Sequence, residues 1–344
     1  MKVGILYSQD VYAFVPDPVF PDRTVSSIIE DLRLKLLSFD KSVDLIEEDQ
    51  IVSVSFSEYS VLYTFPLLGY VDRDPKLLAA LELLEAKSLF FNSYQSLVSA
   101  ASKYSTADVF AKHRVASPET LITRNSHEAI RFVADKQTVI VKPDVGSESV
   151  GVTVLSWDTS SSSPVVQIQG EGVRNVVFAE TERRDTSLCY HNRADALVFT
   201  KPFFLQEYIR TDTLLKVYVI EASAVFGLTI QRVGVESSEV NILSHFDIGR
   251  GAVQKLLSQD MLPPPAAKLA CDATVAFGLR SGLVDLIYCG VRKEWLVLEV
   301  NNDDFSKIRD RSERLDKEYT GNEQFDWNMK LAKSLAGIQG SVRN

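Results

Sequence analysis

The sequence predicts a mixed α/β and α+β protein of several subdomains, and three observations predict it. Short apolar runs alternate with helix-spaced segments over roughly the first hundred residues, the pattern of a small α/β unit. Strand-like segments then crowd the middle of the chain, from Val139 to Arg232. Finally, a triple proline at Pro263–Pro265 sets off one helix and two further strands.

Each element has its own justification. Lys2–Tyr7 is a short apolar run, expected as a buried first strand. Val25–Ser38 places Ile28, Ile29, Leu32, Leu36 and Leu37 at helical spacing. Ser53–Phe65 reads as a strand ending at Pro66, and Pro75–Lys87 as a helix, with Pro75 tolerated in its first turn. Ser88–Ser93 (SLFFNS) reads as a strand with a turn, and a helical stretch runs from Ser96 through Lys103 and Phe110 to about His113. Val139–Leu155 holds two β-branched runs around a turn. Trp157–Pro164 (WDTSSSSP) is expected as a turn or mobile loop. Val173–Glu180 and Ala196–Arg210 read as strands, and Leu214–Arg232 as a pair turning near Glu221–Ser223. Ala266–Leu279 is expected as a helix, Leu283–Tyr288 and Trp295–Val300 as strands joined at Gly290–Glu294, and Phe325–Leu335 as a last helix.

The bulk numbers bound the function. With 344 residues, 45% hydrophobic and 24% charged, the chain suits two or three packed units. A net charge of −9 removes a global basic field for nucleic acid and leaves room for a local basic pocket. His113, His127, His191 and His245 show no metal-ligand spacing, and Cys189, Cys271 and Cys289 are too sparse for a disulfide scaffold or zinc site. The start lacks a signal-peptide apolar region, and no apolar run approaches the ~18 residues of a membrane span. A soluble cytoplasmic protein is expected, without nucleic-acid or membrane partners.

Three features could carry chemistry. In VIVKPDVGSESVGV, Lys142 interrupts an apolar run, which is costly unless its ammonium meets an anion or a polar cleft. Gly146, Ser147 and Gly151 in the following turn let backbone N–H groups approach a phosphate. The plainer reading, an edge lysine before a hairpin turn, stays open. In FLQEYIR, Gln206, Glu207, Tyr208 and Ile209 follow an apolar strand; they suit either the edge of a purine or a solvated strand end. In GLVDLIYCG and EWLVLEVNND, Asp285 and Glu299 interrupt apolar strands, and Asn301 shares a face with Glu299. If the strands are neighbours, three oxygen ligands converge, a set suited to Mg²⁺.

In order and spacing, these features resemble those of the ATP-grasp superfamily over roughly Ser88–Ile308, with closest likeness to RimK-type carboxylate–amine ligases. NSYQSLVSAASKYSTADVFAKHRVASPET resembles the segment bearing the first nucleotide lysine, here Lys103, with Pro118 and Thr120 in the P-x-T that follows. VIVKPDVGSESVGV resembles the second lysine, Lys142, with its glycine loop. LQEYI resembles the adenine linker, and LLKVYVI places Lys216 at an often basic position. VDLI and LEVN put Asp285, Glu299 and Asn301 in the metal-ligand places. Four departures stand out: Ser149 replaces a glycine, the segment before LQEYI is long and serine-rich, Leu214 replaces an acid, and NDDFSKI follows EVN.

The resemblance implies an ATP-grasp fold with a preceding α/β domain at residues 1–95, a central lid at 96–205 and a metal-bearing subdomain at 206–344. It implies ATP and Mg²⁺, with Mn²⁺ a substitute, and an amide bond formed through an acyl phosphate. Small carboxylates and amines or amino acids are the implied substrates, with a peptide or protein acceptor open, and a homo-oligomer is expected. Arg232 and Arg250 are candidates for the phosphate and carboxylate side, and Asn241 is a further one. The alternatives are an inositol-phosphate-type kinase of the same fold, which needs a dense basic pocket, and a non-catalytic nucleotide-binding module.

Overall fold

The structure is a computed structural model that describes residues 2–7, 25–47, 50–64, 75–87, 90–144, 152–168, 172–182, 190–192, 196–211, 213–231, 253–301 and 326–338. Its strands form three sheets. The first holds β1 (Lys2–Tyr7), β2 (Ser42–Glu47) and β3 (Tyr59–Thr64) in the order β2–β1–β3, all parallel. The central strand buries Val3, Gly4, Ile5 and Leu6 in succession, as a parallel strand covered on both faces should. Helix α1 (Val25–Leu37) turns Ile29, Leu32 and Leu36 into the core, and α2 (Pro75–Ala86) starts on Pro75.

Local corrections to the sequence reading have physical causes. Strand β2 escapes notice because SVDLIE fully buries Ile46 alone. The strand expected over Ser53–Phe65 contracts to β3, because a tight turn at Phe56–Glu58 occupies its first half. Among the described residues around Phe90 there is a single bridge, to Leu62, and Asn92 then ties the chain elsewhere. The long helix expected from Ser96 divides into α3 (Tyr94–Ala101) and α4 (Lys103–His113). Ser102 makes the break: extended, it caps α4 by accepting the Ser105 N–H at 3.1 Å.

The second sheet contains β4 (Thr120–Thr123), β5 (Thr138–Val141), β6 (Thr153–Asp158), β7 (Ser163–Ile168), β8 (Gly172–Glu182), β9 (Tyr190–Asn192), β10 (Ala196–Lys201) and β11 (Phe203–Glu207). Its order is β4–β11–β5–β6–β7–β8–β10–β9, antiparallel except between β8 and β10. Helix α5 (Ser126–Lys136) packs Ala129 and Val133 onto Val139, Val141, Leu155, Phe203 and Leu205, so this sheet closes its own core. The serine-rich stretch forms the β6–β7 hairpin turn: the Asp158 carboxylate accepts from the Ser160 and Ser161 hydroxyls at 2.8 and 2.6 Å. The 205/206 domain limit expected from the sequence falls inside β11.

The third sheet is antiparallel, in the order β14–β13–β12–β15–β16. These are β12 (Thr213–Ile220), β13 (Ser223–Gln231), β14 (Val253–Ser258), β15 (Ser281–Cys289) and β16 (Glu294–Asn301). Helix α6 (Pro264–Ala276) buries Ala266, Ala270 and Ala273, a small-residue face that allows close approach. Helix α7 (Trp327–Gly337) seats Trp327 beside Tyr218 and Phe226. The first and third sheets share their cores: Val3, Ile5 and Tyr63 pack in one cluster with Tyr218, Phe226 and Leu283. Among the described residues, no helix is long and apolar enough to cross a membrane.

Candidate active site

The register of the third sheet builds the site. Lys216 on β12 lies directly opposite Asp285 on β15, and Asp285 lies directly opposite Glu299 on β16. Directly opposed residues share a sheet face, so a lysine and two carboxylates form one row. A bulge shapes the end of that row. Asp285 pairs with Glu299 while Leu286 pairs with Val297, leaving Leu298 as the extra residue. The consecutive side chains Leu298 and Glu299 consequently both line one cavity.

Charge pairing makes this burial tolerable. The Lys216 ammonium lies 3.0 and 2.9 Å from the two carboxylate oxygens of Asp285. The Asn301 amide donates to Glu299 Oε1 at 3.2 Å. Burial alone would push the Glu299 carboxyl up. The charges of Lys103, Lys142 and Lys216 and the Asn301 hydrogen bond outweigh it, and the group is held below the usual carboxylate range.

The second sheet supplies the facing wall. Lys142 stands one residue beyond β5, not within a strand, and its N–H donates to the Phe204 carbonyl at 3.3 Å. Its ammonium donates to Gln206 Oε1 at 2.8 Å, and Gln206 Nε2 donates to Thr120 Oγ1 at 3.2 Å. Lys142 keeps part of its surface open to the cleft yet is deep enough to lose most of its hydration. Burial lowers its pKa to about 8; Glu299 opposes that shift, Lys103 adds to it, and Asp285 opposes it. Lys103 enters as the first residue of α4. The ammonium groups of Lys103, Lys142 and Lys216 and the carboxylates of Asp285 and Glu299 therefore form one interacting cluster.

The cavity has a volume of about 600 Å³ and is walled by Lys103, Lys142, Gln206, Leu298 and Glu299, with α4 and the segment after it along one side. Glu207 ends β11, and Tyr208 and Ile209 continue out of the second sheet. The Glu207 N–H donates to the Glu119 carbonyl at 2.8 Å, and the Tyr208 N–H to the Thr138 carbonyl at 3.2 Å. The Glu207 carboxylate pairs with Arg292, on the turn between β15 and β16. Arg292 carries no signal in the sequence, being one charged residue in an exposed turn, and Leu298 is one apolar residue in the unbroken run Trp295–Leu298.

The residues proposed from the sequence thus fall into two groups. Lys103, Lys142, Gln206, Lys216, Asp285, Glu299 and Asn301 come together between the second and third sheets, with Glu207, Tyr208 and Ile209 at the connection. Gly146, Ser147, Gly151, Arg232, Asn241 and Arg250 lie outside the described residues.

The donor set also bears on a metal. Among the described residues, no group of three or more His, Cys, Asp or Glu is gathered to hold an ion. Two opposed carboxylates and a neighbouring carboxamide offer oxygen only, the few-ligand arrangement Mg²⁺ uses when substrate phosphates complete its shell. Because Lys216 already holds both oxygens of Asp285, a cation there would share that carboxylate with the ammonium.

No family model and no curated protein sequence matches this chain. Solved structures do. The ATP-grasp ligase PsnB complexed with minimal precursor superposes with a TM-score of 0.56 at 14% identity, over 97% of this chain and 99% of that one. The macrocyclase MdnC of Microcystis aeruginosa, bound with precursor peptide MdnA, gives 0.57 at 13% identity, over 98% and 100%. D-alanine–D-alanine ligase of Bacillus anthracis gives 0.53 at 12% identity, over 97% and 99%. The chain has the ATP-grasp fold.

Proposed function

We propose that this chain is an ATP- and Mg²⁺-dependent carboxylate–amine ligase of the RimK type, acting on a small carboxylate, amino acid or peptide. One observation carries the reading: the Lys216–Asp285–Glu299 row faces Lys142 and Lys103 across a cleft between two sheets. The solved ligases of like fold include proteins seen with precursor peptides, which supports a peptide as one class of substrate.

The chemistry follows from charge. In the first step a substrate carboxylate oxygen attacks the γ-phosphorus of ATP, the bond to ADP breaks, and an acyl phosphate forms. Lys103 and Lys142 offset the charge gathering on the phosphate oxygens. The Gln206 carbonyl oxygen accepts from the Lys142 ammonium and fixes its position. Asp285, Glu299 and Asn301 would hold Mg²⁺, which supplies further charge neutralisation when bound. Leu298 presents an apolar surface in the cavity that Gln206 also lines, suited to the face of a purine. In the second step the amine attacks the acyl carbon, phosphate leaves, and the amine's proton passes to solvent or phosphate. A serine or cysteine nucleophile has no part in either step.

The test is ADP and phosphate release from ATP and Mg²⁺ across a panel of acids, amino acids, peptides and inositol phosphates. Release of both products only when an acid and an amine are present is the expected result. ADP without free phosphate, with the phosphoryl group on an inositol, would make the chain a kinase of the same fold.

A further inference from the structure

Asp144 follows Lys142 and Pro143, and three consecutive residues of another segment donate to it. The Ser102 hydroxyl and the Tyr104 N–H donate to its Oδ1 at 2.8 and 3.0 Å, and the Lys103 N–H donates to its carbonyl at 3.0 Å. Ser102 caps α4 through the Ser105 N–H, and Asp144 takes the N–H groups of Lys103 and Tyr104 at the same helix start. Asp144 thereby joins the segment of one lysine to that of the other. Tyr104 extends the junction: its ring stacks on Phe204 at 5.8 Å between centroids, and its hydroxyl donates to the Pro202 carbonyl at 3.0 Å. Phe204 in turn accepts the Lys142 N–H, closing a ring of contacts around both lysines.

We infer that Asp144 is a positioning residue that sets Lys103 against Lys142 for the nucleotide phosphates, an inference that rests on the ATP-dependent reading above. A carboxylate so near a phosphate site would repel the ligand if it faced it. Here its oxygen faces a hydroxyl and the N–H groups at a helix start, where a negative charge is favoured. It acts on nucleotide through the spacing of two ammonium groups, and on the carboxylate substrate not at all.

The test compares Asp144→Ala, Asp144→Asn and Ser102→Ala in the full chain by ADP calorimetry, and by KM and kcat for ATP and for the carboxylate substrate. Asp144→Ala should weaken ADP binding and raise the ATP KM about tenfold or more, with the carboxylate KM unchanged. Asp144→Asn keeps an oxygen that accepts both hydrogen bonds, and should stay within about threefold of the unaltered protein. Equal ADP affinity in Asp144→Ala overturns the inference, as does an Asn variant as weak as Ala. Should Asp144→Ala not fold, Ser102→Ala decides: a weakened ADP affinity supports the inference and an unchanged one overturns it. Failure of the unaltered protein to bind ADP would instead overturn the nucleotide reading itself.

Discussion

Lys216→Met removes one half of a buried ion pair and leaves the other in place. The side chains of Lys216 and Asp285 are only 13% and 9% exposed, and the ammonium meets both carboxylate oxygens within 3.0 Å. Breaking such a pair from one side costs about 3–5 kcal/mol, because the remaining charge stays buried without compensation. Asp285 would also face Glu299 across the sheet without the Lys216 ammonium beside it. Lys142 retains some compensation from the far wall of the cleft, which places the expected loss near the lower figure, about 3 kcal/mol. At about 2.1 cal/mol/K of unfolding entropy per residue over 344 residues, that loss lowers Tm by about 4 °C if the chain melts as one unit. Methionine keeps most of the side-chain volume, so packing contributes little. Differential scanning calorimetry reads the shift, and Lys216→Met combined with Asp285→Asn should recover at least half of it. A single variant melting within about 1 °C of the unaltered protein would refute the argument. So would a double variant no more stable than the single one.

Other outcomes follow from the same geometry. Lys142→Ala and Glu299→Gln should each reduce ATP turnover at least about 100-fold in folded protein, checked by circular dichroism alongside the assay; substantial turnover in either would displace the site. Burial puts the pKa of Lys142 at about 8, below its unfolded value, so the cost of burying its charge is fully present below about 8. That cost is relieved as pH rises toward the unfolded pKa. Nucleotide binding has the opposite sign: it needs the ammonium, so ADP affinity should fall as pH rises through about 8, with proton uptake visible by calorimetry in two buffers. Lys142→Arg should flatten that profile, and a flat profile in the unaltered protein would contradict the assignment. Asn92 accepts the Arg280 and Ser281 N–H groups at 2.8 and 3.0 Å, tying the chain that follows the first sheet to the third. Asn92→Ala should cost about 1–3 kcal/mol by leaving one buried and one part-buried donor without partners, and urea unfolding with an unchanged midpoint would disprove it.

Much of this site was legible in the sequence because charge is conspicuous in an apolar strand. Asp285 and Glu299 stand out inside VDLI and LEVN, and Lys142 stands out after VIV, for the same reason that burying them requires partners. The partners themselves were not legible. That Lys216 meets Asp285 depends on the pairing of β12 with β15, and the cavity-facing turn of Leu298 depends on one bulge; neither leaves a mark on residue periodicity. Asp144 and Arg292 look like ordinary acids and bases in turns until the fold brings Ser102–Tyr104 and Glu207 to them. At the level of elements, β2 was lost because an edge strand with one buried side chain has no strong pattern. The break at Ser102 leaves no signal because a serine between two helical stretches reads as well inside a helix as at its cap.

In the proposed reaction the carboxylate is activated by phosphorylation in this cleft. Once an acid and an amine that together trigger ADP release are known, the acid should be supplied with oxygen-18 in its carboxylate and the released phosphate weighed by mass spectrometry. One labelled oxygen in each phosphate is the predicted result, since the acyl-phosphate bridge carries the carboxylate oxygen away. Phosphate free of label, formed at the same rate as the amide, would contradict the account.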